Sequence, residues 1–202
     1  ENLVKYFKFL TADVSKEVVS HFISLFSATL ISKDRASSFL QRLYTTPLTA
    51  CDFIFGYTFP LVPISLAQAV VTYTAAMILG LRLTPNIIIS LLYVMPISLF
   101  YIAIGLLCGS LLSDKQVGRI CGALLTNLSA WLSGIWFDLE LVGGTFKKIA
   151  YALPFVHAVE LERGAVLGDF GSTVPHLLWV LGYTAVLFTL AIFAFLRQKK
   201  KQ

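Results

Sequence analysis

Charge is excluded from five stretches of this chain, and that exclusion fixes the class of fold. Residues 18–32, 53–81, 83–113, 120–137 and 170–196 contain no Asp, Glu, Lys or Arg. A helix needs about 20 apolar residues to cross a bilayer, where only helices and closed barrels satisfy their own backbone groups. Four of the runs reach or approach that length. Run 18–32 is shorter and needs flanking residues or a thinned bilayer. Only 13% of residues are charged and 57% are hydrophobic, against about 25% charged in soluble domains. The expectation is an all-α, polytopic transmembrane protein with five spans, in one transmembrane domain over residues 1–202. Residues 1–17 mix charge with Leu3, Tyr6, Phe7 and Phe9 and read as an interfacial segment. They are no signal peptide, because the apolar piece is short and carries Lys5 and Lys8.

Between the first two runs lies a polar island, residues 33–52, with unusual punctuation. Ser37 or Ser38 can cap a short helix in which Phe39, Leu40, Leu43 and Tyr44 share one face, with Arg35 and Arg42 off it. Pro47 disfavours helix at Thr46 and ends the element. Thr49 with Asp52 three residues on forms a capping-box pattern that restarts a helix into the next span. A short amphipathic rod held between two breaks can dock on a partner or lie among lipid headgroups.

The same residues resemble the type-2 ATP-binding-cassette (ABC-2) export permeases: a charged cluster, a short helix with Leu, Thr46-Pro47-Leu48, then Asp52 four before Gly56. Asp52 stands where that family usually has Glu, and Tyr57 where it often has Lys. The resemblance implies that residues 33–52 are a cytoplasmic coupling segment docking on a separate ATPase subunit. Arg35, Phe39, Leu40, Arg42, Leu43, Tyr44, Thr46 and Pro47 would be its coupling residues. The family usually has six spans, so the resemblance also implies a first span lying before Glu1.

Residues 138–173 form the second informative stretch. Gly143-Gly144 and Lys147-Lys148 precede a mostly apolar run, 149–159, broken at Pro154 and too short to cross. An extracellular re-entrant helical hairpin is expected, with Glu160, Glu162 and Arg163 in the wet interface. Ser133-Gly134, Pro154, Arg163 and Gly168 again resemble the export-permease pattern, with Leu153 in place of the usual Asn.

If residues 33–52 face the cytoplasm and the spans alternate, nine of the 16 basic residues lie inside, including the tail Arg197, Lys199, Lys200 and Lys201. That tail abuts a span and favours this orientation. Glycine pairs Gly105/Gly109 and Gly118/Gly122 flank a turn expected at Asp114-Lys115-Gln116, and they suggest two closely packed antiparallel helices. Ser20, Ser24 and Ser27 add a small-residue stripe on the first run.

Several chemistries are missing. There is no phosphate-cradling Gly-x-x-x-x-Gly-Lys-Ser/Thr and no Gly-x-Ser-x-Gly elbow. His21, His157 and His176 are far apart in sequence and read as packing histidines, so no metal or other cofactor is expected. Cys51, Cys108 and Cys121 have no metal or redox spacing. The net charge of +5 marks membrane orientation and gives no sign of nucleic-acid binding. No run contains the acid or base that ion-coupled transporters keep in the membrane, so uphill transport would need outside energy. Polar uncharged groups do occur: Gln68 with Thr72, and Asn127 with Trp131, each pair on one helical face. These pairs can line a substrate pathway or bond neighbouring helices.

The expected function is therefore the non-enzymatic permease subunit of an ABC exporter. It would form a homodimer or heterodimer with a second permease in the lipid of a cell membrane, of the bacterial plasma-membrane type. An ABC ATPase partner would drive outward movement of a drug-like, lipid-like or polysaccharide substrate by alternating access. A passive channel or carrier, or a non-transporting scaffold, is the alternative.

Overall fold

The computed structural model describes residues 22–35, 37, 49–78 and 85–199, and side chains as far as Arg197. All regular structure among them is helical. Helix α1 covers residues 22–35. It is followed by α2 (Ala50–Ile78), α3 (Asn86–Leu111) and α4 (Asp114–Arg119). A π-helical turn, Ile120–Leu125, joins α4 to α5 (Thr126–Leu132), so residues 114–132 form one helical run. Then come α6 (Leu139–Val142), α7 (Gly144–Ala152), α8 (Pro154–Leu167) and α9 (Phe170–Lys199).

Three of the helices are long and apolar enough to cross a membrane: Ala50–Ile78, Asn86–Leu111 and Phe170–Arg197. Helix α2 runs through Pro60 and Pro63 without a break. Its Phe59 is 82% exposed and Ile78 likewise, as expected for a surface that meets lipid. Run 120–137 differs from expectation at both ends. Its helix begins earlier, because the Ser113 amide donates to Gln116 Oε1 at 3.0 Å in a capping box. Asp114–Gln116 is thus the first turn of α4, where a turn between helices was expected. The run ends at Leu132, where Ser133 and the left-handed Gly134 (φ 73°) close the helix.

Helix α3 is central, packing against α2, α8 and α9. One core joins Phe100, Tyr101 and Ile104 of α3 to Phe155 and Leu161 of α8 and Val180 of α9. A second joins Ile23 and Ile31 of α1 to Phe53 and Leu61 of α2, Leu106 of α3 and Phe195 of α9, with Phe53 and Phe195 stacked at 4.1 Å. In lipid such contacts gain close packing rather than release from water, so small residues matter most where backbones meet.

Gly105 and Gly109 fill that role, though not against Gly118 and Gly122. A Cβ on Gly105 would lie 2.4 Å from the Ser24 carbonyl, and one on Gly109 would lie 2.6 Å from that of Ala28. Gly118 has open space around it. The stripe on α3 therefore receives α1 through Ser24, Ser27 and Ala28. Cys108 and Leu112 meet the other side, packing near Val117 and Cys121.

Candidate functional site

Both flanks of the polar island are fastened at one end of the bundle. The Thr49 amide donates to Asp52 Oδ2 at 3.0 Å and the Asp52 amide to Thr49 Oγ1 at 3.2 Å, so the expected capping box exists and starts α2. At the other flank, Tyr57 of α2 donates to Asp34 Oδ2 at 2.5 Å, and Ser32 Oγ donates to Asp114 Oδ1 at 3.3 Å. Arg35 Nη1 donates to the carbonyls of Gly109 (2.9 Å), Ser110 (2.5 Å) and Leu112 (3.3 Å). Gly109 and Ser110 are among the last residues of α3, whose carbonyls have no later helical amide, and the guanidinium sits at the negative pole of that helix. Ser37, a candidate cap for the following rod, bonds backwards to the Asp34 carbonyl. Phe39, Leu40, Arg42, Leu43, Tyr44, Thr46 and Pro47 lie outside the described residues.

The pathway pairs are placed differently. Thr72 is buried and donates to the Gln68 carbonyl of its own helix at 2.9 Å. Gln68 is half-buried, and its Oε1 has no partner among the described residues. Asn127 and Trp131 follow the π-helical turn, a feature found often at functional sites. Trp131 is 52% exposed and shares an open face with Ile120, Leu124 and Leu128. Asn127 Nδ2 donates to the Ala123 carbonyl at 2.7 Å. Among the described residues no hydrogen bond joins Gln68 or Thr72 to Asn127 or Trp131.

At the opposite end of the bundle, helices α7 and α8 meet at Leu153–Pro154, where the break was expected. Glu162 contradicts the expectation of a wet interface. It is 7% exposed, and its Oε1 accepts from Ser90 of α3 at 2.8 Å and from Tyr73 of α2. The Tyr73 and Ser90 oxygens also lie within bonding distance of each other, so their two hydrogens are shared among three contacts. The physical reason is helical register: Phe155, Ala158, Glu162 and Ala165 lie on the buried stripe of α8. That spacing was the available sequence signal. Arg163 instead pairs with Glu160 at 3.0 Å.

The packing of α8 on α9 also brings two histidines together. His157 Nε2 lies 3.0 Å from the Tyr151 carbonyl, and His157 Nδ1 lies 2.7 Å from His176 Nδ1 on α9. A carbonyl only accepts, so His157 carries its proton on Nε2, and His176 Nδ1–H is the donor between the rings. Tyr183 donates to the Ala152 carbonyl at 2.7 Å. Two carbonyls at the end of α7, left without a later helical amide because the chain turns extended at Leu153, thus find side-chain donors on α8 and α9. Trp179 stacks on His157 at 4.9 Å.

Burial pushes the His157 imidazole below its usual range, and the neighbouring His176 ring adds to this. The Tyr151 carbonyl and Glu160 oppose the shift. A histidine held neutral in the fold binds more protons when unfolded, so its stabilising effect is complete above about pH 6.5 and is lost as the pH falls through the lowered folded value. The melting temperature of detergent-solubilised protein should fall between pH 7.5 and 5.5. In His157→Gln that slope should flatten, and an unchanged slope would show that His157 does not carry it.

Charge-free spans around a close-packed core, with polar knots confined to the two ends, define an α-helical membrane protein. The family profile described as ABC-2 family transporter protein matches residues 17–193, and the chain belongs to that family. Members are membrane permease subunits without an ATPase domain of their own, and they typically partner with an ABC ATPase. No curated protein and no solved structure matches the chain.

Proposed function

We propose that the chain is the permease subunit of an ATP-driven exporter. A single observation from the fold supports this beyond family membership. On one flank of segment 36–48, Arg35 and Asp34 form a polar knot with the end of α3 and with Tyr57 of α2, and on the other the Thr49–Asp52 box caps α2 itself. An input applied to such a segment reaches several helices at once. In this reading Phe39, Leu40, Leu43 and Tyr44 present an apolar face to the ATPase subunit, and Arg42, Thr46 and Pro47 set the rod's limits. The knot lies on the cytoplasmic side and residues 138–173 outside, with α7 and α8 dipping into the outer leaflet as a re-entrant hairpin.

Helix α1 and run 114–132 complete five spans with the three long helices. Two permease copies, or this chain and a related one, face each other across a cleft. The open face bearing Asn127 and Trp131 offers a hydrogen-bonding edge and an aromatic surface to a drug-like, lipid-like or polysaccharide substrate. Gln68 contributes from α2. ATP-driven closure of the partner tilts the helices and switches access in a cell membrane of the bacterial plasma-membrane type.

The test is Leu43→Asp. Helix-in-groove contacts concentrate their energy in a few anchors, and losing one costs about 2 kcal/mol, roughly 30-fold in affinity. The variant should reach the membrane at wild-type level and lose the co-purifying ABC ATPase. Equal ATPase recovery with wild type and variant would exclude the docking role, and no ATPase with either would exclude the exporter.

A further inference from the structure

Coupling segment 36–48 is continuous in the chain only with α1 and α2. The run bearing Asn127 and Trp131 is separated from it by all of α2 and α3. Contacts other than chain continuity must carry an input from one to the other; α1 packs Leu25 and Ala28 near Val117 and Cys121 of that run, and the polar knot adds hydrogen-bonded links. Arg35 is the last described residue of α1, and its Nη1 reaches the carbonyls of Gly109, Ser110 and Leu112. Leu112 directly precedes Ser113, the cap of α4. One turn earlier on α1, Ser32 Oγ shares its hydrogen between the Thr29 carbonyl (3.1 Å) and Asp114 in the first turn of α4 (3.3 Å). Asp34, between them, accepts from Tyr57 of α2. Three side chains within four residues thus hold α2, the end of α3 and the start of α4.

The chemistry of the Arg35 contact suits transmission. Carbonyls at a helix C-terminus carry the negative pole of the helix, and one cation bridging three of them resists both stretching and rotation of the joint. All three contacts come from Nη1, whose two hydrogens are shared among them; lysine would keep the charge on a more flexible stem, and glutamine would supply an amide donor without the charge. The α4 joint leads in six residues to the π-helical turn and then to Asn127 and Trp131.

We propose that Arg35 is a positioning residue that passes movement of segment 36–48 to helix 114–132 by clamping the end of α3, with Ser32–Asp114 as a second limb. It does not itself touch the ATPase. This rests on the exporter reading and goes beyond it, because that reading needs only that the segment docks.

The test uses the full-length chain with the ABC ATPase that co-purifies with it, in detergent, with ATP and vanadate. Hydrogen exchange across residues 114–132 is read with and without nucleotide. Wild type should show a nucleotide-dependent change there. Measured per ATPase subunit recovered with the chain, the change in 114–132 should fall about ten-fold in Arg35→Gln, the scale expected on losing a charge-assisted hydrogen-bonded link. Arg35→Lys should recover part of it. A merely structural role would lower the melting temperature and leave the nucleotide response of the folded fraction intact, and that outcome overturns the inference. If Arg35→Gln does not fold, Asp114→Asn is read by the same rule, and a wild-type response there overturns it. Absence of any ATPase with wild type would instead refute the exporter reading.

Discussion

Replacing Gly105 by valine should separate α1 from α3 and cost about 3 kcal/mol, the upper part of the range for overpacking. At this chain length that corresponds to a fall of roughly 6–12 °C in melting temperature. The first added atom already decides the outcome. A Cβ at Gly105 would stand 1.7 Å from Ser27 Oγ, which can rotate away, and 2.4 Å from the Ser24 carbonyl, which cannot. The helix backbones must therefore move apart, and the packing of Ile23, Ile31 and Leu106 in the same core loosens with them. Gly118→Ala is the matched control, since it adds its Cβ to open space and gains up to about 1 kcal/mol of helix propensity. The double variant Gly105→Ala/Ser27→Gly should recover only part of the loss of Gly105→Ala, because the carbonyl contact remains. Thermal unfolding followed by gel filtration measures all of these. If Gly105→Val melts with wild type, α1 does not sit in this groove.

How far the sequence reveals this fold depends on the reach of each interaction. Thr49 and Asp52 are three residues apart, and their capping box follows from local geometry, so it was legible. The break at Pro154 was legible because a proline holds the residue before it out of the helical region and is itself suited to a helix's first position. The glycines on α3 announced a close helix contact without naming the partner, since Gly118 and Gly122 had the same spacing as the true counterpart, Ser24 and Ala28. Arg35 reads as part of the docking rod until α3 ends beside it, 74 residues away in sequence. His157 and His176 appear unrelated until the hairpin folds α8 against α9. The candidate site divides along the same line. Its polar groups were visible as residues that do not belong in lipid, and the partners that satisfy them were not.

Glu162 shows the same division with the largest consequence. As a charge outside the five runs it read as wet, yet it is the acceptor that holds α8 against α2 and α3. Glu162→Ala should leave the Tyr73 and Ser90 hydroxyls only each other, so one of the two is buried without an acceptor, and a loss of about 1–3 kcal/mol is expected. Glu162→Gln keeps a carbonyl oxygen for the same two donors and should lose much less. The triple variant Glu162→Leu/Tyr73→Phe/Ser90→Ala should recover much of the stability lost in Glu162→Ala, because removing the two hydroxyls with their acceptor is cheaper than stranding a hydroxyl. Hydrogen exchange then locates the effect: in Glu162→Ala protection should drop across α7 and α8 while the contact of α1 with α3, at the other end, keeps its own. Equal protection of Pro154–Leu167 in wild type and Glu162→Ala would mean that the apolar contacts of Phe155, Val156 and Leu161 hold the hairpin without the carboxylate.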